Sequence, residues 1–219
     1  MLESEVSWLT AHEYSSPLFS SEVELEVTPV PPTAKEVYAV ISQRLDLVLG
    51  RLGYTRGRSG TSPWWFLDDA RGRLFLSVQV DAKATDPYAG GGVRFELERG
   101  NTRVPYEKLN GRAMFFQLLT ADELQRLITH QNRVIASLSP PPTSHVNLYG
   151  ELLREQYLSY FRPQTGFDSV KCWLRFHDLE QVGRWMDVLE PLLPVIHDRA
   201  LSILKSDELY LGRQIALVP

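Results

Sequence analysis

Residues 64–83, WWFLDDARGRLFLSVQVDAK, decide the fold of this chain. From residue 74 onward, apolar and polar side chains alternate, which is typical of a β-strand with one buried face. The polar segment 68–73 before this strand contains turn residues. Residues 93–98 repeat the alternation after a run of glycines, with the charged residues predicted to face outward. Three strands joined by short polar turns predict an antiparallel meander.

Helices are predicted on both sides of this meander. Thr33 and Glu36 match a capping box, in which two side chains accept hydrogen bonds from amides at the start of a helix. Thr120 and Glu123 match a second one. Apolar residues follow both boxes at spacings of three and four, which gives each helix one buried face. The predicted fold class is therefore α+β, with an antiparallel sheet of three to five strands packed by helices and an additional helical segment around residues 100–165.

The C-terminal half contains further predicted elements. Residues 148–161 have helical spacing, residues 170–176 have the composition of a strand, and residues 195–204 fit a final helix. Asp178 precedes another helical pattern and is predicted to cap it. We therefore predict one α+β domain over residues 33–219.

Composition and charge exclude several classes of protein. Hydrophobic residues make up 43% of the 219 residues, as in an ordinary folded protein. The formal net charge of −4 disfavours general binding to nucleic acid or to anionic membranes. Cys172 is the only cysteine, which excludes an intramolecular disulfide and a multi-cysteine zinc site. Because no apolar run has the length of a membrane span and residues 1–30 lack the pattern of a secretory signal, we expect a cytoplasmic protein.

Residues 1–32 are predicted to form an acidic N-terminal arm. They carry six glutamates before the first lysine or arginine. Between residues 22 and 27, glutamate alternates with an apolar residue, in the order Glu22, Val23, Glu24, Leu25, Glu26 and Val27. This pattern predicts either a charged edge strand, which deters aggregation, or a strand that docks on a basic surface of its own chain or of a partner.

Arginine and tryptophan are concentrated between residues 51 and 73. The candidate contact residues of this Arg/Trp segment are Arg56, Arg58, Trp64, Trp65, Arg71 and Arg73. Tryptophan and arginine are common hot-spot residues of protein interfaces, and the same combination suits phosphate backbones and unpaired bases. A third interpretation is that one tryptophan faces the core, the other faces the surface and the arginines are solvated. The net negative charge favours a protein partner over nucleic acid.

Asp69, Asp81 and Lys83 form the one candidate catalytic set. A carboxylate on one strand, followed by Asp-x-Lys on the next, is similar to the pattern of Mg²⁺-dependent nucleases of the restriction-endonuclease type. In that chemistry two carboxylates hold the metal and the lysine orients or activates a water molecule. The same residues also fit the exposed face of an ordinary sheet, so a nuclease is the alternative rather than the favoured interpretation.

Two other motifs have sufficient structural interpretations. The dipeptides at 177–178 and 197–198 are both His-Asp, but a metal phosphohydrolase also needs a further upstream histidine and a distant aspartate in defined helices, and Asp178 is better explained as a helix cap. The glycine run 90–92 lacks the lysine of a phosphate-binding loop and is predicted to be a flexible connection between strands. We therefore predict no metal and no cofactor.

The order of elements, together with short motifs at their boundaries, carries a family resemblance. The residues concerned are Leu52-Gly53-Tyr54, Arg56, Trp64-Trp65-Phe66, Cys172-Trp173-Leu174-Arg175-Phe176 and Asp178-Leu179. A helix, this loop motif, an aromatic strand, a meander and a closing tryptophan-bearing strand with a helix pair resemble bacterial domains of unknown function. The resemblance implies a fold and assigns no catalytic residue.

These patterns favour a non-catalytic accessory subunit or protein-binding module. Its expected partner is another protein with an acidic segment, or a second copy of the chain. A nuclease and a nucleic-acid-binding module stay as alternatives, and no membrane association is expected.

Overall fold

The computed structural model describes residues 30–58, 60–81, 86–100, 112–167 and 172–204. The predictions made for residues 1–29 and for Lys83 lie outside these described residues.

A six-stranded antiparallel sheet forms the centre of the fold. Its strands are β1 (Thr55–Arg56), β2 (Trp64–Asp69), β3 (Gly72–Val80), β4 (Gly91–Gly100), β5 (Arg112–Met114) and β6 (Leu174–Phe176). β1 to β5 follow one another in sequence order, and β6 pairs with the first residues of β4. The α+β class with its antiparallel meander is confirmed. The two additional strands, β1 and β5, are too short to show an alternating pattern in the sequence.

Six helices accompany the sheet in the described part of the chain. They are α1 (Ala34–Arg51), α2 (Ala121–Ala136), α3 (Thr143–Val146), α4 (Glu151–Leu158), α5 (Leu179–Leu189) and α6 (Leu193–Ile203). The predicted helical segment around residues 100–165 contains α2, α3 and α4, but β5 as well. The helix predicted for residues 148–161 is interrupted, because α4 begins after Gly150 and gives way to a 3₁₀ turn at Ser159.

One face of the sheet, which we call the inner face, belongs to the core. It buries Trp65, Leu76 and Phe95, which alternate with residues of the opposite face as the period of two requires. α1 covers this face with Val37, Ile41, Leu45 and Leu49, and α5 adds Val182, Trp185, Met186 and Leu189. The helical and strand periods seen in the sequence therefore meet in one hydrophobic cluster.

The outer face of the sheet is less exposed than the sequence predicts. Ser77 and Glu96, which the alternation places on a solvated face, are buried, and Glu96 is 0% exposed. Arg94 forms an ion pair with Glu96 at 3.0 Å, and Arg112 contacts the same carboxylate. The prediction that charge points outward into solvent on β4 is therefore wrong. A buried charge needs paired neighbours, and these come from the same strand and from β5, which the sequence pattern did not reveal.

The glycine run 90–92 is not the flexible connection that the sequence predicts. Gly90 closes a tight turn by exchanging backbone hydrogen bonds with Asp86, and β4 begins at Gly91. Gly90 has φ +69°, and a Cβ at this position would lie 2.2 Å from the carbonyl oxygen of Phe176. The backbones of the turn and of β6 therefore approach closely, which only glycine permits here.

Both predicted capping boxes are present, and the first supports a test. The Glu36 amide donates to Thr33 Oγ1 at 3.3 Å, and the Thr33 amide donates to Glu36 Oε2 at 2.8 Å. We expect Thr33→Ala to lower the free energy of unfolding by about 1 kcal/mol, because one amide at the start of α1 loses its acceptor. Urea unfolding measures the change, with Thr61→Ala as an exposed threonine outside any cap. A Thr33→Ala curve that coincides with the wild-type curve would contradict the role of Thr33.

Candidate functional site

A polar groove lies between the first half of α1 and the loop that joins β1 to β2. Its volume is about 360 Å³. Lys35, Arg56 and Arg58 line it, and the described residues of its wall include no carboxylate. The remaining wall is small or uncharged, with Tyr38 and Ser62 among its residues. We call this feature the cationic groove.

Arg56 is held in the groove by residues of α1. Its guanidinium donates to Asp46 Oδ2 at 2.7 Å and to Ser42 Oγ at 3.1 Å. It also lies 5.8 Å from the centre of the Trp65 ring, a cation–π distance. The other oxygen of Asp46 accepts a hydrogen bond of 2.7 Å from Trp65 Nε1. One carboxylate therefore fixes both a buried indole and a half-exposed guanidinium.

The floor and the rim of the groove are fixed by hydrogen bonds. The Tyr38 and Ser62 hydroxyls lie 3.1 Å apart, and Tyr38 accepts from the Val80 amide at 3.1 Å. The Gly57 amide donates to the Trp64 carbonyl at 2.9 Å. A Cβ at Gly57 would lie 2.0 Å from the Trp64 indole, so glycine is required where the indole crosses the loop. The groove is therefore preformed.

Arg58 and Lys35 differ from Arg56 in having no fixed partner among the described residues. Both side chains are exposed, and neither forms an ion pair within the described part of the chain. They lie on opposite walls, one on the loop and one in the first turn of α1. The groove therefore presents two uncompensated positive charges to solvent.

The structure divides the predicted Arg/Trp segment into two places. Trp65 is buried on the inner face, whereas Trp64 lies on the outer face beside Phe66 and Phe75, at ring distances of 5.8 and 5.9 Å. The interpretation in which one tryptophan faces the core and the other the surface therefore fits the structure. Arg56 and Arg58 flank Gly57, whose amide donates to the Trp64 carbonyl.

Arg71 and Arg73 lie at the opposite end of β2 from the groove. Arg73 donates to both oxygens of Asp68 and stacks 4.3 Å from the centre of the Phe66 ring. Arg71 lies 4.0 Å from Asp69 and donates to the Leu201 carbonyl. Because internal partners hold both guanidinium groups, these two arginines do not belong to the cationic groove.

The candidate nuclease residues are not brought together. Asp69 pairs with Gly72 at the start of β3, whereas Asp81 follows its end. Asp81 is nine residues after Gly72 along an extended strand, which is roughly 30 Å at about 3.3 Å per residue. Within the described ranges, no group of three or more His, Cys, Asp or Glu side chains is placed to hold a metal ion. The two aspartates therefore cannot share one metal.

Asp69 has a structural partner instead. Arg99, which is 0% exposed, donates to both of its oxygens at 2.7 and 2.9 Å. The Arg99 hydrogen bonds hold the pKa of Asp69 below its usual value. This bidentate pair joins the last residue of β2 to β4 on the inner face of the sheet.

The His-Asp dipeptides also have structural roles. His177 Nε2 lies 2.8 Å from the Pro87 carbonyl, and Asp178 accepts from the Gln181 amide as the N-cap of α5, as predicted. His197 Nδ1 lies 3.1 Å from the Tyr54 hydroxyl, and burial lowers the pKa of His197. The two dipeptides lie in different surroundings.

A polar cluster that no sequence pattern indicates surrounds Asp86. Three side chains from the segment 143–161 converge on its carboxylate: His145 Nε2 at 2.8 Å, the Tyr149 hydroxyl at 3.0 Å and the Tyr157 hydroxyl at 3.0 Å. The backbone amides of Tyr88 and Ala89 donate to Oδ1 as well, each at 2.8 Å. We call these residues the Asp86 cluster.

Charge and burial inside the Asp86 cluster shift several pKa values. Burial alone would raise the pKa of Asp86, but the hydrogen bonds from Ala89, His145 and further donors hold it below its usual value. Burial and the nearby Asp86 carboxylate raise the pKa of Tyr149 to about 12 and raise that of Tyr157 as well. Both tyrosine hydroxyls are therefore neutral hydrogen-bond donors at physiological pH. The hydrogen bonds of the cluster connect the segment of α3 and α4 to the turn before β4.

Comparison with known proteins adds no relative. No family model, curated protein or solved structure matches the chain. The resemblance to bacterial domains of unknown function therefore stays a prediction. None of the helices in the described ranges is both long and apolar enough to cross a membrane.

Proposed function

We propose that this protein is a non-catalytic protein-binding module, an accessory subunit of the cytoplasm, and that its cationic groove binds an acidic segment of a partner protein. One observation carries the proposal. Lys35, Arg56 and Arg58 converge on a preformed groove that has no carboxylate among the described residues of its wall. Such a site attracts an anion and leaves it room.

The chemistry of the groove favours an acidic peptide over nucleic acid. Proteins that bind single strands stack successive bases on aromatic faces. Tyr38 is the only aromatic side chain among the described residues of the wall, and its hydroxyl is engaged by Ser62 and by the Val80 amide. The net charge of −4 also opposes a long polyanion. Two glutamates of a short segment would instead match Lys35 and Arg58, since Arg56 is already paired with Asp46.

Charge reversal at Lys35 and Arg58 tests the proposal. We choose this pair because Arg56 also positions Asp46, so that its replacement would disturb the Trp65 indole. The probe is a fluorescent short peptide in which glutamate alternates with valine, measured by anisotropy at low and moderate salt. We expect Lys35→Glu with Arg58→Glu to weaken binding at least about tenfold, since opposed charges become like charges. Salt should weaken wild-type binding, because exposed charges are screened over about 10 Å at 0.1 M.

Two controls test whether binding is specific to the groove and to an acidic peptide. Arg126→Glu changes an exposed arginine of α2 that forms no ion pair in the described part of the chain, and it should leave peptide binding unchanged. A fluorescent oligothymidylate tests the nucleic-acid alternative. Tighter binding of the oligonucleotide than of the peptide would favour that alternative. Equal peptide affinity for wild type and the double variant would overturn the proposal.

A further inference from the structure

Beside the cationic groove, β1 has an edge with which no other described strand pairs. It is the first strand in the order of the sheet and pairs only with β2 among the described strands. The hydrogen bond from the Gly57 amide to the Trp64 carbonyl makes residues 57 and 64 a bonded pair. Bonded and non-bonded pairs alternate in an antiparallel ladder, so the backbone N–H and C=O of Arg56 point away from β2. An extended segment can pair with such an edge.

The acidic arm has the pattern that this edge requires. An extended chain over residues 22–27 places its three glutamates on one side and its three apolar residues on the other. Arg56 and Arg58, which line the groove, are also two residues apart in sequence. We propose that residues 22–27 of the same chain pair with the β1 edge, direct their glutamates into the cationic groove, and so compete with the partner. This inference rests on the proposed function.

The connection between the arm and the groove is short enough for docking on the same chain. Residues 28–32 link the acidic pattern to Thr33, and Lys35 lines the groove in the first turn of α1. Three of these five linking residues are proline, and a proline-rich chain extends by about 3.1 Å per residue. Glu26 is seven residues before Thr33 and is therefore tethered within about 22 Å of the helix start, and Glu22 is tethered within about 34 Å.

Tethering makes even a weak contact effective. A short linker gives an effective concentration on the order of 1 mM. If the free segment binds with a dissociation constant of about 0.1 mM, the arm occupies about nine-tenths of the grooves and lowers the affinity for an external ligand about tenfold. The arm therefore acts as an internal competitor that a stronger acidic partner displaces.

The test uses the full chain and the free arm sequence as the probe. A fluorescent peptide with the sequence of residues 20–30, SSEVELEVTPV, is titrated with wild type and with the variant Glu22→Gln, Glu24→Gln, Glu26→Gln. We expect the variant to bind the peptide about tenfold more tightly, because its own arm no longer competes. The matched control is Glu3→Gln, Glu5→Gln, Glu13→Gln, which removes the same charge from the same arm and should bind like wild type. Adding Lys35→Glu and Arg58→Glu to the first variant should abolish its gain.

Each outcome separates this inference from the proposed function. In one outcome, wild type and the 22/24/26 variant bind the peptide equally, while reversal of Lys35 and Arg58 still removes binding. That result overturns arm docking and leaves the proposed binding function intact. Binding that is insensitive to Lys35 and Arg58, or no binding to any variant, overturns both. If the control variant binds the peptide as tightly as the 22/24/26 variant does, the effect is one of general charge, and this result contradicts strand docking. A wild-type dimer that dissociates in the 22/24/26 variant places the arm on a second copy and contradicts docking on the same chain.

Discussion

Asp69→Ala is expected to lower the free energy of unfolding by about 3 kcal/mol, while the neighbouring Asp68→Ala changes it only by a small fraction of that amount. Both aspartates bind an arginine through two hydrogen bonds, so the difference comes from burial. Asp69 neutralises Arg99, which is fully buried and has no other carboxylate partner in the described ranges. Asp68 binds Arg73 at the surface, where water replaces the lost partner.

Urea unfolding of the two alanine variants at neutral pH provides the measurement, and pH provides a second check. Arg99 lowers the folded-state pKa of Asp69, so the stabilisation by this pair is fully present above the unfolded value of about 3.9 and is lost as the pH falls through the lower folded value. The difference between wild type and Asp69→Ala should therefore be constant from pH 7 to about pH 5 and shrink at more acidic pH. Equal losses for the two variants would show that burial of Arg99 is not the cause.

The structural role of Asp69 also bears on the nuclease alternative. A loss of any activity in Asp69→Ala could follow from unfolding, whereas Asp81 lies at the other end of β3. The informative substitution for metal chemistry is therefore Asp81→Ala, which leaves the buried pair intact.

Local patterns in the sequence predicted the elements of this fold well. The caps at Thr33, Thr120 and Asp178 all form the predicted hydrogen bonds, because a cap depends on residues only three positions apart. The strands of the meander followed from an alternation that any half-buried strand requires. These features need no knowledge of the rest of the chain.

The candidate site depended on long-range packing and was predicted only in part. Local composition alone singles out Arg56 and Arg58, and the structure joins them to Lys35, more than twenty residues earlier. No local pattern links a lysine in the first turn of a helix to a loop beyond its end. For the same reason, Arg71 and Arg73 were grouped with them by sequence proximity, although β2 carries them to its far end.

The Asp86 cluster also depends on contacts between residues that are distant in sequence, which local patterns do not reveal. Asp86 and His145 are 59 residues apart, and Asp86 and Tyr157 are 71 apart. His145 belongs to α3, whereas Tyr149 lies between α3 and α4, so no single helical spacing marks the two as neighbours. Their common acceptor, Asp86, lies in a turn that no local sequence pattern relates to these side chains.

Asp86→Ala should be the most disruptive single substitution in the segment that joins the sheet to α3 and α4. The Tyr149 and Tyr157 hydroxyls and the His145 ring would lose their acceptor, and an unsatisfied buried donor costs about 1 kcal/mol or more. We therefore expect a loss of about 3 kcal/mol in the free energy of unfolding. Tyr157→Phe removes a single hydroxyl from the same carboxylate and should cost only about 1 kcal/mol.

Hydrogen exchange and pH together distinguish this cluster from a general loss of stability. Because the folded-state pKa of Asp86 is lowered, its charge stabilises the fold above the unfolded value of about 3.9, and this stabilisation is lost as the pH falls through the lower folded value. At neutral pH, Asp86→Ala should lose amide protection first in residues 143–161 and in the turn at 86–90, while α1 keeps its protection. Below about pH 4, wild type should begin to lose protection in the same residues, whereas Asp86→Ala, which has no carboxylate to protonate there, should change less. Uniform loss of protection over α1 and residues 143–161 would mean that the Asp86 cluster stabilises the whole fold rather than fastening one segment to the sheet.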